Sequence, residues 1–342
     1  MISIKTKLFF VGLFILFSSC SKENEVDFVA FNIYHEGTKV DNGFNQIKKI
    51  IETVNPDIIG FTEVRNYVGD WTTKIQQALK ESNKNYYRGY VGGDISLLSK
   101  YPIIDSVLTG NGRIGKFTVD IKGKIITVAV AHLDYTKYAC YLPRGYFGGT
   151  PNWGEIIDSN SKLKPIKSID SILSYNLSSQ RDEQINNFLK SIQNNATPIV
   201  LLGDFNEPSH LDWQKNTKNL FNHNKLVINW QNSIVLKENG FIDSYREIYP
   251  NTVKNPGFTW PSSYSKNKST SWAPKADERD RIDFIYYKGK GISVLKSAII
   301  GPRGYYVKNK LSIKGTENDI FLASELDWPS DHKAVFTRLI FK

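Results

Sequence analysis

Apolar residues in this chain gather in short runs, and several runs break off at a single polar side chain. The clearest, residues 198–202, reads as a strand buried on both faces, and it ends in Gly203-Asp204-Phe205-Asn206. Similar runs cover 26–33, 57–65, 125–131, 281–287 and 333–341; they carry or abut Asn32, Glu63, His132, Asp283 and Ser330-Asp331-His332. Elsewhere the period changes. Phe44, Ile47, Ile50, Ile51 and Val54 recur at helical spacing, so 44–54 is an amphipathic helix that Pro56 stops. Further helices are expected at about 71–82 and 179–194. Short strands are expected at about 86–90, 95–99, 103–108 and 115–121, with Gly92-Gly93, Tyr101-Pro102 and Lys122-Gly123 as turns. No repeat or linker divides the pattern, so 27–342 is expected to form one α+β domain of packed sheets. An insertion at about 136–178, rich in Tyr, Gly, Pro and Asn, is longer than compact domains carry without a use.

The first residues follow a different rule. Lys5 and Lys7 precede the apolar stretch 8–17, which is too short to span a bilayer and suits a signal peptide. Ser18-Ser19-Cys20 follows, and small residues before a cysteine resemble a bacterial lipoprotein signal. On that reading 1–19 is removed, Cys20 is lipidated and 20–26 is a polar tether. The protein is then anchored to a bacterial membrane, the outer membrane in the first instance, facing the periplasm or the exterior; ordinary signal cleavage nearby is the alternative. Cys140 is the one cysteine left, which rules out a disulfide within the chain and fits a small residue packed in a loop. The net charge of +10 favours anionic partners, but the lysines are scattered and form no dense stripe of the kind that binds nucleic acid.

The polar residues that end the runs form a chemically coherent set. Asp204 and Asn206 stand two apart at a strand end, hence on one side. An aspartate there can bind a hard cation or take a proton from water, and an asparagine can donate to a developing oxyanion without repelling a phosphate. Each residue alone has an ordinary explanation: an Asx turn for Asp204, a core ion pair for Asp283 beside Arg281, a satisfied core histidine for His132. Together they supply oxygen ligands, an amide donor and two imidazoles, the ingredients of metal-assisted phosphoryl chemistry.

Phe31-Asn32-Ile33, Phe61-Thr62-Glu63-Val64, His132-Leu133-Asp134, Gly203-Asp204-Phe205-Asn206, Arg281-Ile282-Asp283-Phe284 and Ser330-Asp331-His332 occur in that order. In this the chain resembles the endonuclease/exonuclease/phosphatase superfamily, which includes DNase I. The resemblance implies a four-layered α/β/β/α sandwich and a divalent cation, Mg²⁺ or Mn²⁺, held by Glu63 with Asn32 and Asp331. It further implies Asp204 as the group that aligns and deprotonates water, Asn206 as a charge stabiliser, His132 as a phosphate donor, and His332 oriented by Asp283. Whether Asp94 supports His132 is not settled by spacing. In the insertion, Arg144 and Tyr146 are expected to wall the substrate pocket, the arginine for phosphate and the ring for a flat group; a loop that merely caps the sandwich is the alternative.

The expected activity is metal-dependent hydrolysis of a small or glycan-linked phosphate ester by in-line attack of water. A secreted nuclease is the alternative within the enzymes, and a catalytically inactive binding lipoprotein the alternative outside them. If acyl chains hold the protein, Cys20→Ala is expected to move it from the membrane to the soluble fraction on cell fractionation. Unchanged sedimentation with membranes would remove the anchor.

Overall fold

The structure, a computed structural model, describes residues 24–149, 152–264 and 271–342. The leader 1–19 and Cys20 lie outside the described residues, as does most of the 20–26 tether. In chain order the elements are β1 (Glu25–Asn32), α1 (Gly43–Val54), β2 (Ile58–Thr62), α2 (Trp71–Glu81), β3 (Tyr87–Gly92), β4 (Ile95–Ser99), β5 (Ile103–Thr109), β6 (Ile114–Ile121) and β7 (Lys124–His132). Then follow α3 (Ile169–Leu177), α4 (Arg181–Ser191), β8 (Ile199–Asp204), α5 (Gln231–Glu238), β9 (Ile242–Asp243) and α6 (Ser244–Ile248). The remaining strands are β10 (Asp283–Lys288), β11 (Ile292–Ile300), β12 (Tyr305–Val307), β13 (Lys310–Ser312), β14 (Phe321–Leu322) and β15 (Ala334–Phe341).

Two mixed sheets face each other. One has the order β14-β11-β15-β1-β2-β4-β3, the other β5-β6-β7-β8-β10-β9. Alternation along the strands sorts their side chains into layers. Phe28 and Ala30 of β1, Val128 and Val130 of β7, Val200 and Leu202 of β8, and Ile285 and Tyr287 of β10 pack between the sheets. Val29 and Phe31 of β1 face outward onto Ile47, Ile50 and Ile51 of α1 and Ile75 and Leu79 of α2. Ala129 and Ala131 of β7 and Leu201 of β8 face outward onto Ile185 and Phe188 of α4 and Leu236 of α5. The result is the α/β/β/α sandwich that the resemblance implied. Gly60 of β2 leaves room for the facing sheet, since a Cβ there would stand 2.3 Å from Leu202 Cδ1 and 2.7 Å from Val130 Cγ2.

Besides the short strands β9, β12, β13 and β14, two longer elements went unread in the sequence. Strand β11 pairs with β15 along most of its length, but its apolar alternation is broken by Lys296 at a bulge. Helix α3 lies inside the insertion and is capped by the Ser168 side chain. The insertion itself is neither a flap nor a simple cap. Tyr138, Cys140, Tyr141, Leu142 and Tyr146 share a fourth apolar cluster with Trp213, Ile228, Trp230 and Trp260, so the insertion is a core component of the fold.

Alternation also aims the chemistry. Asn32, His132, Asp204 and Asp283 continue the inward-facing sets of β1, β7, β8 and β10, and all four sit at the same edge. In the second sheet Asp204 is the register partner of both His132 and Asp283. Gly203, just before Asp204, has φ +133°, and a Cβ there would lie 2.1 Å from the Ala131 carbonyl oxygen. Gly203→Ala is therefore expected to destabilise the protein by about 3 kcal/mol through backbone strain and overlap, read as a lower urea midpoint.

Candidate active site

The strand-end residues meet in a cleft of about 270 Å³. Asp204 is its centre. The Asn32 amide, from the opposite sheet, donates to Asp204 Oδ2 at 3.0 Å and to Glu63 Oε1 at 3.3 Å. His132 Nε2 and His332 Nε2 stand 3.8 and 3.6 Å from the same Asp204 oxygen. Its other oxygen accepts from the Asn206 backbone N–H at 2.9 Å. Each imidazole is held at its far nitrogen by a carboxylate: His332 Nδ1 by Asp283 and His132 Nδ1 by Asp94, both at 2.9 Å. Asp94 is thus the support of His132 that spacing could not decide, and it is steadied by Arg65 at 2.6 Å.

Local chain chemistry fixes these positions. Ser330 donates through its hydroxyl to the Asn32 carbonyl at 2.7 Å and accepts from the His332 N–H at 3.0 Å, tying the loop before β15 to the end of β1. The Thr259 hydroxyl oxygen accepts from the N–H of Ile282 and of Asp283. Glu63 follows β2 with φ +65°, a left-handed turn that takes its side chain off the outward-facing set to which Ile59 and Phe61 belong.

Charge in the cleft is poorly balanced. Burial alone would lower the pKa of His332, but Asp283 and then Asp204 outweigh it and carry the imidazole up to about 10. Burial raises Asp331 to about 8, with Glu63 and Asp204 adding to the rise despite the opposing His332. Among the described residues, Asp331 Oδ1 and Asp283 Oδ1 are buried without a hydrogen-bond partner. Crowded carboxylate oxygens, two of them without a hydrogen-bond partner, fit a hard divalent cation. Asp204, Asp283 and His332 also converge closely enough to be read as ligands, but the His332–Asp283 hydrogen bond already occupies two of those groups. Glu63 and Asp331 also line the cleft and take no part in that bond.

Three expected roles change. Asn32 is not a metal ligand, because its amide nitrogen faces the two carboxylates and its oxygen accepts from the Tyr34 N–H at 3.0 Å. The reverse assignment would set an oxygen against two carboxylates. Arg144 does not reach substrate: its side chain is fully buried and ion-paired with Asp280, with further bonds to the carbonyls of Cys140, Phe221 and Arg279. Tyr146 is equally buried, its hydroxyl accepting from the Lys275 N–H at 3.0 Å. The aromatic wall is real but built from other residues, Tyr34, Tyr135, Tyr138, Trp153, Trp260 and Trp272. Trp260 lies 4.7 Å from the His332 ring and Trp153 lies 5.6 Å from Trp272, centroid to centroid. Tryptophans 260 and 272 were visible in the sequence as rings in a turn-rich stretch, but nothing local tied them to His332. Asn206 does line the cleft, one amide hydrogen given to the Leu133 carbonyl at 3.0 Å and the other left for a ligand.

The model of the endonuclease/exonuclease/phosphatase family matches residues 29–332. The chain belongs to this family. Its members are metal-dependent phosphoric ester hydrolases, and so is this protein. An uncharacterized Caenorhabditis elegans protein is 31% identical over 335 residues, spanning 95% of this chain and 94% of that one. An endonuclease/exonuclease/phosphatase structure from Beutenbergia cavernae superposes with a TM-score of 0.51 at 15% identity, covering 93% of this chain and 72% of that one. A D. rerio TDP2 complexed with single-strand DNA product gives 0.50 at 14%, covering 92% and 98%. At such identities the two structures speak for the fold alone.

His332→Ala and Asp204→Ala are each expected to lower kcat by about 10²–10⁴-fold, with Asp283→Asn the same or milder because it acts through His332. Steady-state kinetics on folded variants, judged by circular dichroism, decide this; a His332→Ala enzyme with most of its rate would break the assignment.

Proposed function

We propose that the protein hydrolyses a compact phosphate ester, with Mg²⁺ or Mn²⁺, outside the cytoplasm. The observation that carries this reading is the cleft itself. It is small for a ligand site, six aromatic rings wall it, and Arg65 is the single lysine or arginine among its described lining residues. A nuclease grips several phosphates of a polymer and needs several cations along its groove. Here there is room for a phosphate and one flat or ring-shaped group against Trp153, Trp260 and Trp272. The extracytoplasmic setting rests on the leader and Cys20.

The residues divide the work as follows. Asp204 aligns the attacking water and accepts its proton, while the Asn32 amide holds the carboxylate in place. His332, kept protonated by Asp283, and His132, kept in place by Asp94, donate to phosphate oxygens. The free N–H of Asn206 adds to this where negative charge grows. Glu63 and Asp331 would hold the divalent cation, which when bound would supply neutralisation of charge on the phosphate and on the departing oxygen. Water's oxygen bonds to phosphorus, the P–O bond to the leaving group breaks, and no covalent enzyme intermediate forms.

A chelator is expected to abolish turnover and Mg²⁺ or Mn²⁺ to restore it, with Glu63→Gln no longer responding. Activity that survives in EDTA would sink the metal assignment. In a screen of an aryl phosphomonoester, an aryl phosphodiester and plasmid DNA at physiological salt, a small ester is expected to win. Trp272→Ala should raise KM for a ring-bearing ester about 3–10-fold and leave kcat on the minimal aryl phosphate unchanged, since the ring binds substrate away from the bond that breaks. Efficient plasmid cleavage with no turnover of small esters would replace this reading with the nuclease.

A further inference from the structure

Beside Glu63 the backbone does something costly. Tyr34, His35 and Glu36 are three consecutive non-glycine residues in the left-handed region, with φ of 43°, 54° and 63°. Each is strained and persists only where the surroundings impose it, as functional sites do. Here the surroundings are visible: the His35 N–H donates to Glu63 Oε2 at 2.7 Å, and the buried Glu36 carboxylate accepts from the Asn66 N–H. The strained turn brings two side chains to the cleft, the Tyr34 ring to its wall and the His35 imidazole beside Glu63.

Its ring is oriented at both ends. Nδ1 is hydrogen-bonded to the Tyr67 hydroxyl, and the Tyr67 ring lies parallel to the imidazole within 2°. Nε2 points the other way and stands 3.6 Å from Glu63 Oε2, the same oxygen that the His35 N–H engages. Two atoms at that separation can bind one ion at about 2.1 Å from each. Arg65 comes no nearer to Glu63 than 4.0 Å, its guanidinium being committed to Asp94.

We propose that His35 is a ligand of the cation held at Glu63, so that this enzyme's metal centre has a nitrogen donor and prefers Mn²⁺ to Mg²⁺. This rests on the metal-dependent reading of the site above. The imidazole gives its Nδ1 proton to the Tyr67 oxygen and turns the Nε2 lone pair toward the ion, the usual arrangement for a metal-binding histidine and its outer partner. Mg²⁺ takes oxygen ligands and gains little from an imidazole, whereas first-row transition ions bind it well. His35 is thereby a specificity residue for the ion.

The test uses the purified full-length protein stripped with a chelator, with Mn²⁺ alone as probe. Pulsed electron paramagnetic resonance of bound Mn²⁺ is expected to show nitrogen hyperfine coupling that His35→Gln removes. The same variant should bind Mn²⁺ about tenfold or more weakly and Mg²⁺ about as well as the parent. Tyr67→Phe, which keeps the imidazole and loses its partner, should weaken Mn²⁺ binding by about tenfold and keep the coupling; it gives the same reading where His35→Gln fails to fold. Mn²⁺ bound without nitrogen coupling, or bound equally by parent and variants, overturns the role of His35 and leaves ester hydrolysis standing. No Mn²⁺ or Mg²⁺ binding, with hydrolysis undiminished in EDTA, overturns both.

Discussion

Like charges held together out of water constrain everything else in this molecule. Glu63, Asp204, Asp283 and Asp331 converge where two sheets open at one edge, and Asp204 and Asp283 are almost wholly buried. Coulomb repulsion and desolvation would each force protons onto such a group. The protein answers with cations and donors placed one by one: His332 between Asp204 and Asp283, His132 between Asp204 and Asp94, and the Asn32 amide between Asp204 and Glu63. What remains buried without a hydrogen-bond partner among these four described carboxylates is Asp331 Oδ1 and Asp283 Oδ1, the remainder that the proposed divalent cation would answer.

The same logic separates the catalytic edge from the insertion. Arg144 and Asp280 form a buried pair, further bonded to Trp213 and to three carbonyls, deep inside an aromatic cluster. Glu207, directly after Asn206, is bonded instead to Asn176 and Asn232 and lies 3.6 Å from Arg181. One short segment therefore carries Asp204, the centre of the cleft, at its start and the anchor of the insertion's helix at its end. Removing one partner of a buried pair of this kind costs far more than the pair contributes, so the insertion cannot be trimmed as an independent flap.

The gathering of these polar residues at one edge was legible in the sequence because it is written in alternation. A strand that buries every second residue against the opposite sheet delivers its last inward position to the rim, and Asn32, His132, Asp204 and Asp283 are such positions. Glu63 was found by its motif, though it owes its aim to a left-handed backbone that no periodicity reveals. Asn32 was found with the wrong role, since which end of an amide faces the carboxylates depends on the Tyr34 N–H. Arg144 and Tyr146 misled for a different reason. An arginine among tyrosines describes a binding wall and a buried ion pair equally well, and the deciding partner, Asp280, is 136 residues away. Strand β11 was lost to Lys296 and its bulge.

The position of β15 has a consequence in time. It lies between β11 and β1, in the interior of its sheet, and pairs with β1 across some three hundred residues of chain, from Glu25↔Ile340 to Ala30↔Val335. The Ser330–Asn32 bond that sets His332 spans 298 residues. Contacts so distant in sequence are the slowest to form. During synthesis β1 has no partner on one side until the residues of β15 have been made, and His332 arrives just ahead of them. The nascent chain therefore carries Glu63, Asp204 and Asp283 before the segment that brings Asp331 and His332, and the cleft is completed only when the sheet closes around β15.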